Sequence, residues 1–200
     1  GNVSLYNETA SSPVFPTPTI GAVGLLDDVS RHATMRWQDG DAILLVGDWK
    51  PRIGASEYLS YRHNATAGAP PELDLDQEIA VQHFVQQAIA EGVIRTAHDI
   101  SLGVLAVAIA KMTIVSDCGA VVDLPQGASG RLDEQWFGEA ASAIVVALPA
   151  AQSGDFADRA RSVGIPMIEL GKAAQGGLTI NGGRPIPLSA LHVAFEHGFA

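Results

Sequence analysis

The chain has 200 residues, 47% of them hydrophobic and 17% charged, with 12 Lys and Arg against 22 Asp and Glu and a formal charge of −10. A chain of this length buries roughly 70% of its unfolded surface, which supports one or two domains at most and excludes a disordered polypeptide. No run of Lys or Arg is present, which excludes an electrostatic nucleic-acid binder, because that role needs a basic patch to displace counterions.

Residues 1–18 open with a polar stretch and continue into Ser11 and Ser12 with prolines at 13, 16 and 18. That composition forbids regular structure over its second half and predicts an irregular strap. Residues 20–26 form an apolar run stopped by Asp27 and Asp28, which predicts a buried strand. Residues 42–46, between Gly40 and Gly47, predict a second strand, apolar on both faces. Residues 49–61 predict a loop and the start of a helix, and residues 64–71 a loop.

Asp74, with Gln77 three residues on, has the spacing of a capping box. It predicts a helix to Glu91 with Leu75, Ile79, Val81, Phe84, Val85, Ala88 and Ile89 as its apolar stripe and Gly92 as its stop. Residues 97–101 predict a polar turn, whose Ser101 caps a helix over 102–114 that is apolar all round and therefore buried on more than one side. A strand over 118–123, a loop over 125–130, a short helix over 132–138 and a strand over 142–148 follow. A helix over 155–163 is capped from Ser153 or Asp155. Residues 166–172 and 177–180 predict a strand pair, with Asn181-Gly182-Gly183 as a turn. Residues 188–197 predict the last helix. Helices and strands alternate without strict regularity, so the fold class is α/β, with α+β as the alternative. One principal domain spans 19–200, preceded by the strap.

Cys118, the single cysteine, excludes an internal disulfide and a Cys-rich zinc site. It reads as a small buried hydrophobe and fits a reducing, cytoplasmic compartment. The apolar runs at 102–110 and 143–151 fall short of the ~18–20 residues of a membrane helix. No signal peptide and no initiating Met open the chain, which reads as a piece of a longer protein.

Gly1-Asn2-Val3-Ser4-Leu5-Tyr6-Asn7-Glu8-Thr9 has residue types that suit a phosphate site. A small residue lets backbone approach closely, an Asn carbonyl is a hard ligand for magnesium, and a Ser hydroxyl can donate to an oxygen. The same residues also satisfy an ordinary turn. His98-Asp99 beside Ser101 suggests a triad, but neighbours on a turn rarely converge so, and capping by Ser101 is the simpler reading. The other histidines (32, 63, 83, 192, 197) lack metal-ligand spacing, and Trp37, Trp49 and Trp136 suit core or interface positions. Asn181-Gly182-Gly183 is no phosphate loop, because Pro185 follows where a helix start is needed.

GNVSLYNET, then Pro-Thr-Pro and residues 20–26, resembles phosphoribosylformylglycinamidine synthase, the large subunit of the small bacterial type. The resemblance continues in order. Residues 53–58 (IGASEY) are similar to the family's LGGSEY, residues 97–101 (AHDIS) to its AHDLS, and Trp136-Phe137-Gly138-Glu139 to its LFGE. It covers nearly all 200 residues. Relatives such as aminoimidazole ribonucleotide synthetase, selenophosphate synthetase or thiamine monophosphate kinase lack the first motif. A stand-alone scaffold or binding module is the alternative of a different class.

The resemblance implies an ATP-dependent ligase of purine biosynthesis. It makes formylglycinamidine ribonucleotide from formylglycinamide ribonucleotide, ATP and glutamine. It implies an AIR synthase C-terminal-like domain over 19–200, and the end of an ATP-binding-type domain in 1–18. Gly1 then contacts nucleotide, Asn2 binds Mg2+ and Ser4 contacts substrate. It implies partners as well: the preceding domains, a glutaminase subunit and a small accessory subunit. The family's catalytic histidines lie elsewhere, so this chain is expected to be inert alone. Two departures point to a structural copy of a duplicated domain. Val104 stands where the family has a second glycine, and Ala140 and Ala141 replace hydrogen-bonding residues after Glu139.

Overall fold

A computed structural model describes residues 20–100, 104–127 and 129–198. Its strands are β1 (Asp41–Gly47), β2 (Thr96–Asp99), β3 (Ala120–Val122), β4 (Ala143–Pro149), β5 (Met167–Ala173) and β6 (Leu178–Ile180). Its helices are α1 (Glu57–His63), α2 (Leu75–Ala90), α3 (Val104–Ser116), α4 (Leu132–Phe137), α5 (Ser153–Ser162) and α6 (Leu188–His197). The strands form one sheet in the order β2-β4-β1-β5-β3-β6. Every pairing is antiparallel except β3 with β6. The fold is a mixed α/β sheet with helices on both faces.

The central strand explains the layering. Successive side chains of a strand point to opposite faces. Ile43 and Leu45 of β1 enter a core with Leu105, Ile109 and Met112 of α3. Ala42, Leu44 and Val46 enter a second core with Val81, Phe84 and Val85 of α2 and Phe156 of α5. Burial on both faces is why β1 and β4 read as unbroken apolar runs. Each large aliphatic side chain so buried stabilises the fold by about 1.5–3 kcal/mol.

Two glycines set the sheet's geometry. Gly171, at φ +148°, sits where the β1–β5 register shifts between Ile43 and Leu44, and a Cβ there meets the backbone of Val121. Gly47, at φ +108°, ends β1 against the carbonyl of Ser142, leaving no room for a side chain.

Several expectations hold. Helices α4 and α6 and strands β1 and β4 lie where the sequence places them, within one or two residues. The Asp74 carboxylate caps α2 by accepting from the N–H groups of Asp76 and Gln77. Gly92, at φ +74°, ends that helix. Helix α3 buries Leu105, Ala106, Ala108, Ile109 and Met112, which lie on more than one side. Trp37 and Trp49 are core residues. The cap expected from Ser101 lies outside the described residues.

Other expectations are corrected. Residues 20–26 carry no regular structure, and their apolar side chains are exposed because no strand of this sheet pairs with them. Residues 96–99 are a strand rather than a turn, because the edge of β4 supplies their partners from Ile144 to Ala147. Strands β5 and β6 are not a pair; β3 inserts between them. The turn at Asn181 instead returns the chain so that Ile186 pairs with Leu178. Helix α5 starts from Gln152 without a side-chain cap, because residues 150–152 are already a 3-10 turn and the Ser153 hydroxyl donates to the Ala150 carbonyl. Leu75 and Ile79 of α2 face solvent rather than the core.

Candidate functional site

Gly1, Asn2 and Ser4 lie outside the described residues. Of the motifs farther along the chain, those at 53–58 and 136–139 meet at one place.

The loop after β1 leads into α1. Buried Ser56 is that helix's N-cap: its hydroxyl donates to the Ile53 carbonyl at 2.6 Å and accepts from the Leu59 N–H at 3.3 Å. The loop after α4 comes alongside. Arg52 and Glu139 exchange both backbone hydrogen bonds at 2.8 Å. The Glu139 carboxylate then accepts from the backbone N–H of Glu57 at 3.0 Å. An acidic group at a helix N-terminus satisfies an orphan N–H and the positive end of the helix. Glu139 is therefore a capping residue, and the helix it caps is α1 rather than its own.

The aromatic residues of the same motifs also join. The Tyr58 ring stacks on Phe137 at 5.0 Å with an interplanar angle of 4°. These residues, with Glu57, Tyr61, Arg62, Val104, Val107 and Glu139, line a cleft of about 450 Å³. Three segments singled out by the resemblance, around 57, 104 and 139, thus form one surface. Tyr61 and Val107 were not singled out in the sequence; their helical spacing from Tyr58 and Val104 was the available signal.

Two backbone conformations stand out, one in the loop that enters α1 and one in the cleft wall. Ala55 has φ +55° and Val104 φ +65°. Both stand where the resembled family has glycine. Only glycine enters that region freely, and a β-branched residue there is a genuine outlier. The backbone at both positions has a conformation that glycine adopts freely. Val104 is buried and forms part of the cleft wall. Where a glycine leaves backbone open to a ligand, this chain presents an isopropyl group.

A smaller cleft of about 220 Å³ lies on the other side of the paired loops. It is lined by Asp48, Lys50, Arg52, Asp74 and residues 140–142. Ala140 and Ala141 offer it no hydrogen-bonding side chain. Lys50 pairs with Asp48, and that hydrogen bond holds its ammonium above the ordinary lysine pKa. Its cation is therefore already partnered. Asp74 is committed to capping α2.

The His98–Asp99 pair is real but local: Nδ1 of His98 lies 3.2 Å from Oδ1 of Asp99. His98 is mostly buried on β2, and Asp99 is exposed at the strand's end. Among the described residues no three His, Cys, Asp or Glu side chains gather to hold a metal ion. No described helix is long and apolar enough to cross a membrane.

A mixed sheet with helices on both faces defines an α/β domain. The family described as "AIR synthase related protein, C-terminal domain" matches residues 38–181, and the chain belongs to it. Among named proteins, it is 43% identical over 209 residues to phosphoribosylformylglycinamidine synthase subunit PurL of Anaeromyxobacter sp. strain Fw109-5. That alignment covers 99% of this chain and 27% of that protein. It is 42% identical to the PurL subunit of Azorhizobium caulinodans, over 96% of this chain and 26% of that protein. The chain spans about a quarter of the length of these curated relatives. The fold is also that of T. maritima PurL complexed with FGAR, with a TM-score of 0.68 at 14% identity over 80% of this chain and 29% of that one. T. maritima PurL complexed with ATP aligns with a TM-score of 0.62.

Proposed function

We propose that this chain is the C-terminal part of an ATP-dependent carbon–nitrogen ligase, the synthase that makes formylglycinamidine ribonucleotide from formylglycinamide ribonucleotide, ATP and glutamine. The observation that carries the reading is identity to synthase subunits along essentially the whole chain, 43% over 99% of it. The ordered motifs, beginning with GNVSLYNET, lie within that matched length.

In this reading residues 1–18 end an ATP-binding-type domain and residues 19–200 form the C-terminal domain. Gly1 approaches the nucleotide, the Asn2 carbonyl binds Mg2+ and Ser4 contacts the substrate. Magnesium favours about six oxygen ligands. The described residues hold no cluster for it, so Asn2 supplies one ligand and the preceding domains supply others. Magnesium bound there offsets charge on the transferring phosphoryl group. The larger cleft does not bind nucleotide, because Val104 closes the backbone and Glu139 is spent on capping. The chain alone is inert, and its remaining partners are the preceding domains, a glutaminase subunit and a small accessory subunit. The compartment is the cytoplasm, which suits a single buried thiol.

The test is Asn2→Ala in the longer polypeptide that carries the preceding domains. Even outer-shell partners of a metal are worth about 10–100-fold, so turnover at limiting magnesium is expected to fall at least tenfold with an unchanged melting temperature. Full turnover at limiting magnesium overturns the role of Asn2. No synthase activity in the unaltered polypeptide overturns the reading itself.

A further inference from the structure

We propose that Asn181-Gly182 is a modification site of this chain, an Asn–Gly pair whose spontaneous deamidation is held in check by a closed ring of three hydrogen bonds.

An asparagine followed by glycine has a nucleophile beside its side chain. The Gly182 nitrogen attacks Cγ of Asn181, and the new N–C bond closes a succinimide. The side-chain amide nitrogen leaves as ammonia and takes the Gly182 proton with it. Water then adds to one of the two imide carbonyls and opens the ring to aspartate or isoaspartate. Water is the only co-reactant. Of the four asparagines, at 2, 7, 64 and 181, Asn181 alone precedes glycine, which has no Cβ to shield the attacking nitrogen.

The turn sets up this chemistry. Asn181 and Gly182 are exposed and left-handed, at φ +53° and +65°. The N–H groups of Asn181 and Gly183 donate to the carbonyls of Val122 and Ile180, both at 2.9 Å. Among the described residues the Gly182 N–H between them has no partner.

The hydrogen-bonded ring opposes it. The Leu124 N–H donates to Oδ1 of Asn181 at 2.7 Å, and Nδ2 of Asn181 donates to Oε1 of Gln135 at 3.1 Å. Nε2 of Gln135 donates to the Leu124 carbonyl and closes the ring. Both ends of the Asn181 amide are thus tied to other elements, the loop after β3 and helix α4. Attack at Cγ turns the amide toward Gly182 and breaks both bonds. Leu124 and Gln135 are buried, so water does not replace the lost partners. The barrier to deamidation therefore includes the cost of opening the ring.

The product does not fit. Each of the three groups in the ring supplies one donor and one acceptor, whereas a carboxylate is acceptor-only. It faces Oε1 of Gln135, and turning the Gln135 amide over only moves the mismatch to the Leu124 carbonyl. Isoaspartate also lengthens the backbone by a methylene. Deamidation therefore releases α4 from the turn after β6. Helix α4 carries Phe137, which stacks on Tyr58, and leads to Glu139, which caps α1. Loss of the Asn181 amide thus loosens a wall of the larger cleft.

The experiment follows the amide-to-acid mass gain at 181 by peptide mapping, in the 200-residue chain and in a free peptide of residues 177–185, at neutral pH and physiological temperature. The chain is expected to deamidate about a hundredfold more slowly than the peptide, about tenfold for each bond that holds the amide. Gln135→Leu keeps the side chain's bulk and removes its amide, and is expected to speed deamidation about tenfold. Val81→Ala loosens the core on the other face of the sheet and is expected to leave the rate at 181 unchanged. Asn181→Asp, the product made directly, is expected to lower the melting temperature by about 2–12 °C and to raise hydrogen exchange in α4. Equal rates in chain and peptide overturn the proposal. So does an unaltered rate in Gln135→Leu, or an equal acceleration by Val81→Ala, which assigns the protection to the fold as a whole. An unchanged melting temperature and unchanged exchange in Asn181→Asp overturn the link to α4.

Discussion

The Glu139 carboxylate accepts a hydrogen bond from the backbone N–H of Glu57, 82 residues earlier in the chain, at 3.0 Å. That bond fixes the start of α1 to the loop after α4 and shapes one wall of the cleft. Loss of a cap costs about 1 kcal/mol. Glu139→Ala is expected to lower the melting temperature by about 2–4 °C and to raise hydrogen exchange in the first turn of α1. An unchanged melting temperature and unchanged exchange remove Glu139 from that role.

Ala55 is exposed and left-handed at φ +55°. That conformation costs an L-residue about 1–2 kcal/mol, while glycine's extra freedom in the unfolded chain costs about 0.5–1 kcal/mol. Ala55→Gly is therefore expected to stabilise by about 0.5–1 kcal/mol, read by urea denaturation. Val104→Gly relieves similar strain but deletes a buried side chain worth about 1.5–3 kcal/mol, so it is expected to destabilise. A stabilised Val104→Gly beside a destabilised Ala55→Gly contradicts the strain argument.

The legible part of the fold was the part whose signal is local. Strands β1 and β4 announce themselves as apolar runs because both faces are buried, and α6 by its length and period. Strand β2 was not legible: its four residues are half polar, and the edge of β4 makes them a strand. The separation of β5 from β6 by β3 is a long-range choice with no local mark. Residues 20–26 give the same apolar signal whether their partner lies in this chain or elsewhere. The site divides similarly. Its motifs were readable one by one, but the stacking of Tyr58 on Phe137 and the reach of Glu139 to Glu57 join segments about 80 residues apart.

The Trp37 indole donates to the Cys118 carbonyl inside the core. Trp37→Phe keeps an aromatic ring but leaves that carbonyl without its donor, which costs about 1–3 kcal/mol. A fall in melting temperature of about 2–12 °C is expected. A fall of less than about 1 °C shows that the bond does not hold the segment in place.

Acid should loosen the contact between α2 and α5. The Arg159 guanidinium, with help from Gln87, holds the Glu91 carboxyl below the ordinary glutamate pKa. A depressed folded pKa means that the stabilisation is present above the unfolded value, about 4.3, and is lost as pH falls through the folded value. Arg159→Gln is expected to be less stable than the unaltered chain at about pH 7, with the gap closing as the pH falls through the lowered folded value of Glu91. A gap that stays constant across that range, measured by urea denaturation, assigns the loss to packing over Phe84 instead.

The most direct measurement is calorimetric titration of the 200-residue chain with Mg·ATP. The cleft carries Val104 in place of a glycine, Glu139 is committed to α1, and the residues assigned to nucleotide and metal form only a corner of a site. No heat beyond dilution is therefore expected. Saturable binding at micromolar concentration contradicts this directly: it shows that the chain holds a nucleotide pocket of its own.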